Sequence, residues 1–188
     1  PWVATAAPFN MTNLICGSEG TLGLVFAATV KLVPIPAQKI LVAAHFETMD
    51  EAIDAVAIAN SLTPSAVELI DRPILELALR NPEQARQCHW LQGLPQAVLL
   101  VEFQGDEAGS LMDRAQQCVD QLQQASLGCA FPILKNEAAK SAWTVRRSGL
   151  GLLMGTQLAK RPVTFIEDSA VPVAHLPELV RQVRRLMD

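Results

Sequence analysis

Two stretches of this 188-residue chain hold residue types at spacings that could carry chemistry. The first is Gly17-Ser18-Glu19-Gly20-Thr21-Leu22-Gly23. Glycines at intervals of three let a backbone turn sharply and present N–H groups to a phosphate, because no Cβ blocks close approach. The spacing is not that of a dinucleotide-binding βαβ unit, which sets its first glycines two apart and runs on into a helix, and no lysine follows as a P-loop requires. A tight hairpin turn explains the same glycines. The second stretch is Trp143-Thr144-Val145-Arg146-Arg147. A guanidinium presents a planar fork that grips a carboxylate through two parallel bonds. On a helix both arginines share a face with Trp143, at i+3 and i+4, so spacing alone does not choose between them. A solvated arginine pair is the alternative.

Other polar residues say less. Glu167 and Asp168 are adjacent carboxylates suited to acid–base work, or to capping a turn and pairing with an arginine. His45, His89 and His175 are isolated from one another, and Cys88-His89 lacks the further ligands of a zinc site, so no metal is expected. Cys16, Cys88, Cys118 and Cys129 contain no C-x-x-C pair and read as buried thiols in a reducing compartment. The glycines at 149, 151 and 155 read as a flexible connection.

The elements that must position these residues follow from the hydrophobic period. An apolar, β-branched run over 24–33, closed by Pro34 and Pro36, predicts a strand, with a domain boundary at residue 36. Strands are expected over 40–46, 65–71, 97–103 and 129–134. Helices are expected over 48–61, with Thr48 and Glu51 in a capping-box pattern, over 73–79, and over 108–124, where Leu111, Ala115, Cys118 and Leu122 form one stripe. Residues 80–95 read as loop. The order strand, helix, strand, strand, helix, strand predicts an α+β fold: a ferredoxin-like antiparallel sheet with its two helices on one face. Beyond it, Asn136 is expected to cap a helix carrying Trp143 and Arg146, residues 163–166 a short strand, and the last helix to turn Leu176, Leu179, Val180, Val183 and Leu186 inward.

Composition narrows the function. Half the residues are hydrophobic and 18% are charged, which excludes a disordered segment or a coiled coil. A net charge of −4 without a basic run gives nucleic acid no footprint. Charged residues interrupt every apolar stretch before bilayer-spanning length, so no transmembrane segment is expected. The Pro-Trp-Val-Ala-Thr start carries neither Met nor a leader and reads as the interior of a longer chain.

The wording of the first stretch, Ile15-Cys16-Gly17-Ser18-Glu19-Gly20-Thr21-Leu22-Gly23-Leu24-Val25, resembles the end of the FAD-binding domain in FAD-linked oxidases of the vanillyl-alcohol-oxidase type. Its D-2-hydroxy-acid dehydrogenases, which act on lactate, 2-hydroxyglutarate or glycolate, are the nearest in wording. Pro64-Ser65-Ala66-Val67-Glu68-Leu69-Ile70-Asp71, Trp143-x-x-Arg146 and Glu167-Asp168-x-Ala170-Val171-Pro172 resemble further elements of that family, in the same order. The resemblance implies a tail of the FAD-binding domain over 1–36 and a cap domain over 37–188. It implies FAD contacts at Gly17, Ser18, Gly20, Thr21, Gly23 and the backbone of Leu24, and substrate binding at Arg146. It implies a flavin-dependent oxidation of a D-2-hydroxy acid by hydride transfer, with a histidine outside this chain taking the hydroxyl proton and a quinone, flavoprotein or iron–sulfur module receiving the electrons. No catalytic residue is then expected within these 188 residues, and the chain alone is expected not to retain FAD. Relatives acting on dicarboxylates carry a lysine where Ile166 stands, which counts against a dicarboxylate unless Lys160 or Arg161 substitutes. A cytoplasmic enzyme, or one peripheral to a membrane, follows. Two other readings stay open: a non-catalytic ferredoxin-like binding or oligomerisation module, and a related flavin oxidase for another alcohol.

Overall fold

A computed structural model of the chain describes residues 11–155 and 169–187. The chain divides into two compact units, residues 1–35 and 36–188. In the first, helix α1 (Met11–Ile15) runs into a turn in which the Ser18 N–H donates to the Ile15 carbonyl at 3.1 Å and the Thr21 N–H to the Ser18 carbonyl at 2.9 Å. Gly17 and Gly20 stand at φ 80° and 81°, left-handed values that glycine adopts without a Cβ penalty. The strand expected over 24–33 does not form: Leu24, Phe26 and Ile35 are more than nine-tenths exposed. β propensity becomes a strand only through a ladder, and among the described residues none pairs with this run.

The second unit is built on four strands, β1 (Gln38–Phe46), β2 (Ala66–Asp71), β3 (Ala97–Gly105) and β4 (Ile133–Lys135). They lie in the order β2-β3-β1-β4 and every pairing is antiparallel, with Val42 opposite Val101 at the centre. This is the expected α+β, ferredoxin-like arrangement. Helices α2 (Met49–Ser61) and α5 (Ala108–Gln124) share one face, as their order predicts, and bury Ala52, Ala55, Leu111, Ala115 and Leu122 against Ile40, Val42, Leu99, Val101 and Phe103. The Thr48 hydroxyl caps α2 by accepting from the Glu51 N–H at 3.2 Å.

Beyond this expected pair of helices on one face, the sheet carries a second cover. The opposite face is covered by α3 (Arg72–Arg80), by Cys88 and Trp90, and by α6 (Asn136–Met154), which pack on Leu41, Ala43, Val98 and Leu100. The cause lies in β1 and β3, where Ile40–Phe46 and Ala97–Phe103 are buried without alternation. A strand buried at every position needs a cover on both sides. Within the expected loop 80–95, Asn81 caps a short helix α4 (Pro82–Ala85).

Helix α6 departs from expectation at both ends. Lys135 holds its N-cap position without a side-chain bond, and Asn136, the expected cap, is the first helical residue at φ 49°. Of the glycines expected to loosen the chain, Gly149 and Gly151 lie within α6 and Gly155 is its C-cap, and Gly149 is where α6 meets α3: a Cβ there would stand 3.3 Å from Ile74 Cγ2. Helix α7 (Leu176–Met187) leaves Leu186 exposed rather than inward-facing, while Arg181 pairs with Asp54 of α2 at 2.8 Å. Cys88 and Cys118 are buried as expected, with desolvation pushing the Cys118 thiol up to about 11, but Cys16 and Cys129 are exposed. The expected strand over 163–166, and Glu167, Asp168, Ile166, Lys160 and Arg161, lie outside the described residues.

Candidate functional site

Side chains alternate between the faces along a strand, so Glu68 of β2, Glu102 of β3 and Lys39 of β1 fall on the face that α6 covers. They form a polar strip at one end of that largely apolar face. Helix α6 lays Trp143 and Arg146, one turn apart, against it. The Trp143 indole N–H donates to Glu102 Oε2 at 2.9 Å. The Arg146 guanidinium donates from Nε and Nη2 to Glu68 Oε2, at 3.0 and 2.8 Å. Glu102 Oε1 also accepts from the Ser65 hydroxyl at 3.0 Å and from Lys39 Nζ at 3.4 Å. Ser65 and Glu68 come from the 64–71 stretch and Trp143 and Arg146 from the helical one, so two separate sequence motifs meet at one place. Arg147, the competing arginine, is exposed.

Beside Arg146 opens a cleft of about 330 Å³ between the end of β2, α3 and α6, lined by Leu69, Ile70, Asp71, Ile74, Arg146, Gly149, Leu150 and Leu153. Arg146 is the cation of this lining. The Asp71 carboxylate caps α3 by accepting from the Ile74 N–H at 3.3 Å. Glu68 uses one edge of the Arg146 fork, and the guanidinium's five donors leave others for a second acceptor. A carboxylate bound there would sit between a cation and apolar walls, where screening by water is reduced.

Of the residues singled out from the sequence, Arg146 therefore lies at a cleft. The six residues of the glycine stretch lie in the first unit, where Gly17, Gly20, Thr21, Gly23 and Leu24 are exposed and Ser18 is half-buried. Glu102 was missed by sequence reading, and a signal was there. It is a lone carboxylate inside the apolar run Ala97–Phe103, and a buried anion must find partners. Among the described residues no three His, Cys, Asp or Glu side chains gather as a metal site needs, and no helix is long and apolar enough to cross a membrane.

A second polar feature lies at the far end of the same face. His45 is fully buried, with Nδ1 at 2.8 Å from the Ala43 carbonyl and Nε2 accepting from the Gln92 N–H at 3.1 Å. Burial holds its pKa below the ordinary histidine value. Both ring nitrogens are satisfied in the neutral Nδ1–H form, which makes it a structural histidine.

Comparison with known proteins places these observations in a family. The chain is 30% identical to the D-2-hydroxyglutarate dehydrogenase of Pseudomonas putida, over 96% of the chain and 19% of that protein. It is 33% identical to the mitochondrial D-lactate dehydrogenase [cytochrome] of Arabidopsis thaliana, over 98% of the chain and 31% of the relative. Against the glycolate oxidase subunit GlcD of Bacillus subtilis it is 31% identical, over 94% and 36%. The chain thus spans about a fifth to a third of the length of these relatives. Its fold is similar to that of a solved alkyldihydroxyacetonephosphate synthase, with a TM-score of 0.52 at 19% identity, over 79% of this chain and 29% of the other. The family described as FAD linked oxidases, C-terminal domain, matches residues 35–188, and the chain belongs to it.

Proposed function

We propose that this chain supplies the substrate-side domain of a flavin-dependent oxidoreductase acting on a D-2-hydroxy acid, with Arg146 receiving the substrate carboxylate. The observation that carries the reading is the Arg146 guanidinium, anchored on Glu68 by 2.8 and 3.0 Å contacts at the edge of the 330 Å³ cleft. The relatives named above act, by their names, on 2-hydroxyglutarate, lactate and glycolate, all 2-hydroxy carboxylates. Beyond Arg146 the cleft offers Leu69, Ile70, Ile74, Leu150 and Leu153, with Asp71 as its anion. A second carboxylate would meet apolar walls and a like charge, so a monocarboxylate of the lactate or glycolate type suits the cleft better than a dicarboxylate.

For FAD, the glycine turn fits in part. Nothing stands within 4 Å of where a Cβ would lie on Gly17, Gly20 or Gly23, so the backbone is open to a phosphate. The N–H groups of Ser18 and Thr21 are spent on carbonyls within the turn, which leaves Gly20, Gly23 and Leu24 as the better donors, and the Glu19 carboxylate beside them opposes an anion. Such a turn gives one side of a phosphate site, consistent with a chain that does not hold FAD by itself. FAD, when bound, supplies the acceptor for a hydride from the substrate Cα. What the residues of this chain add is orientation: Arg146 fixes the carboxylate and the apolar walls exclude water. A quinone, a second flavoprotein or an iron–sulfur module is the proposed electron acceptor.

The test is Arg146→Ala beside Arg147→Ala in the complete flavoprotein, with flavin content measured first. A charge-assisted arginine–carboxylate contact contributes about 1.5–3 kcal/mol. At 1.36 kcal/mol per decade, its loss lowers kcat/KM for the hydroxy acid roughly ten- to a hundredfold. Arg147→Ala is expected to stay within a factor of three or so, as exposed arginines contribute little. Equal, small effects from both would remove Arg146 from the site.

A further inference from the structure

We infer that Glu102 is a positioning residue for the carboxylate-binding arginine: by holding the Trp143 indole it fixes how α6 lies on the sheet, and so where Arg146 stands. The inference rests on the reading of Arg146 as the substrate carboxylate's partner. Glu102 is 8% exposed and stands at the meeting point of four chain segments. Oε2 accepts from Trp143 of α6. Oε1 accepts from Ser65, just before β2, and from Lys39 of β1. Its own carbonyl accepts the Ser65 N–H at 2.7 Å and lies 2.9 Å from the Ser65 hydroxyl, whose single proton it shares with Oε1.

Stability does not account for a carboxylate at this point. Replacing a buried charge with an apolar side chain of similar volume is often neutral or stabilising, because the desolvation cost disappears with the charge. What the carboxylate adds is direction, since an indole has one N–H and a charged acceptor holds it in one geometry. Trp143 and Arg146 lie three residues apart on one helix face, so Glu102 and Glu68 pin α6 to the sheet at two points a turn apart. Two pins prevent rotation about the helix axis and sliding along it, and one does not. At its start α6 is tied only through its N-cap Lys135, which pairs with Ile40 at the end of β4, and it has no side-chain cap and begins on a left-handed Asn136, so Glu102 and Glu68 fix the turns that follow. Displacing a binding group by about 1 Å can cost as much as a hundredfold in rate, so a modest slide of α6 is enough to matter.

The test uses the complete flavoprotein as Glu102→Ala, Glu102→Gln, Trp143→Phe and Arg146→Ala variants, each checked for flavin content and melting temperature. Propionate, an unreactive monocarboxylate without the 2-hydroxyl, is titrated against the oxidised flavin's absorbance to give Kd, and kcat and KM are measured separately. In Glu102→Gln the amide oxygen still accepts from Trp143 and the amide N–H₂ faces the Ser65 hydroxyl, while the half-exposed Lys39 loses this partner to water, so the hold on the indole is kept while the charge is lost. Glu102→Ala is expected to weaken propionate binding and lower kcat/KM three- to tenfold, and Glu102→Gln to stay within twofold of wild type. Trp143→Phe, which keeps an aromatic ring at this position and drops the N–H, is expected to follow Glu102→Ala. Should Glu102→Ala fail to fold, Trp143→Phe decides alone. Wild-type propionate affinity in Glu102→Ala or in Trp143→Phe, or a Glu102→Gln as weak as Glu102→Ala, overturns the inference. If Arg146→Ala binds propionate like wild type, the parent reading fails; if Arg146→Ala loses binding and the Glu102 variants do not, only the positioning role fails.

Discussion

Glu102 and Phe103 are neighbours in sequence and face opposite sides of one sheet, and they divide the molecule's work between them. Phe103, fully buried, belongs to the side where α2 and α5 close over Val42, Leu99 and Val101. Glu102 belongs to the side where α3 and α6 close, and there the apolar layer gives way at one end to the strip of Lys39, Glu68, Glu102, Trp143 and Arg146. One face buries area and is held by it; the other gives up some apolar burial to hold charged groups at set distances. A sheet buried on both sides lets a strand such as β3 serve both purposes with a period of two.

The sharpest way to break this comparison is to cut into the apolar face. Phe103→Ala removes a fully buried ring that also carries the Arg114 guanidinium 4.9 Å from its centroid. A buried Phe→Ala change costs about 3–5 kcal/mol through lost transfer energy and a residual cavity. Urea unfolding of the chain is expected to show a loss of this size with the m-value unchanged. A loss under about 1 kcal/mol would mean that this face collapses freely around the lost ring and is not held by its packing. Its neighbour Glu102 is expected to do the reverse, moving carboxylate affinity more than stability.

The two faces also differ in how far they could be read in advance. Helix α2 was legible almost to the residue, because Thr48, Glu51 and the spacing of Ile53 and Val56 are local signals that need no partner. The stripe of α5 and the order of the four strands were legible for the same reason. The second cover was not, since it is announced only by what β1 and β3 lack, an exposed alternate position. Gly149 looked like a loosening of the chain because a glycine's packing role depends on what approaches it, here Ile74 of α3. For the candidate site, sequence alone weighed Arg146 against Arg147 and only the family wording chose between them. The partners Glu68 and Glu102 lie 78 and 41 residues from the side chains they hold, distances that no local pattern spans. The run over 24–33 failed in the opposite way, with strong strand propensity and no ladder to join.

A milder probe separates the two polar ends of the α6 side. Burial holds His45 neutral, below its ordinary pKa, whereas unfolded chains protonate near 6.5. The unfolded state therefore binds more protons below that value, and the stability that His45 contributes is present above about pH 6.5 and is lost as pH falls from there toward the folded-state pKa. Protonation would also put a second N–H against the Gln92 N–H that Nε2 now accepts, 3.1 Å away. Urea unfolding between pH 8 and pH 5 is expected to show falling stability in wild type and a shallower fall in His45→Gln. Parallel curves would assign the slope to other groups and leave His45 without a role in it. The strip around Glu102 sits at the other end of the face, so hydroxy-acid affinity should not follow this slope.

The smallest expected effect sharpens the contrast between the helices themselves. Helix α2 begins on a side-chain cap, Thr48 Oγ1 accepting from the Glu51 N–H at 3.2 Å, with Asp50 and Glu51 in its first turn where the helix dipole favours anions. Helix α6 has no such cap and takes its place from Glu68 and Glu102 across the sheet. Thr48→Ala should therefore cost about 1 kcal/mol, the usual effect of losing an N-cap hydroxyl. That loss should appear in urea midpoints with no change in propionate Kd in the complete flavoprotein, because α2 packs on the face of the sheet opposite α6. Thr48→Ser, which keeps the acceptor, should recover most of it. If Thr48→Ala instead weakened carboxylate binding while leaving stability alone, the two faces would be coupled through the sheet, and the division drawn at Glu102 and Phe103 would not stand.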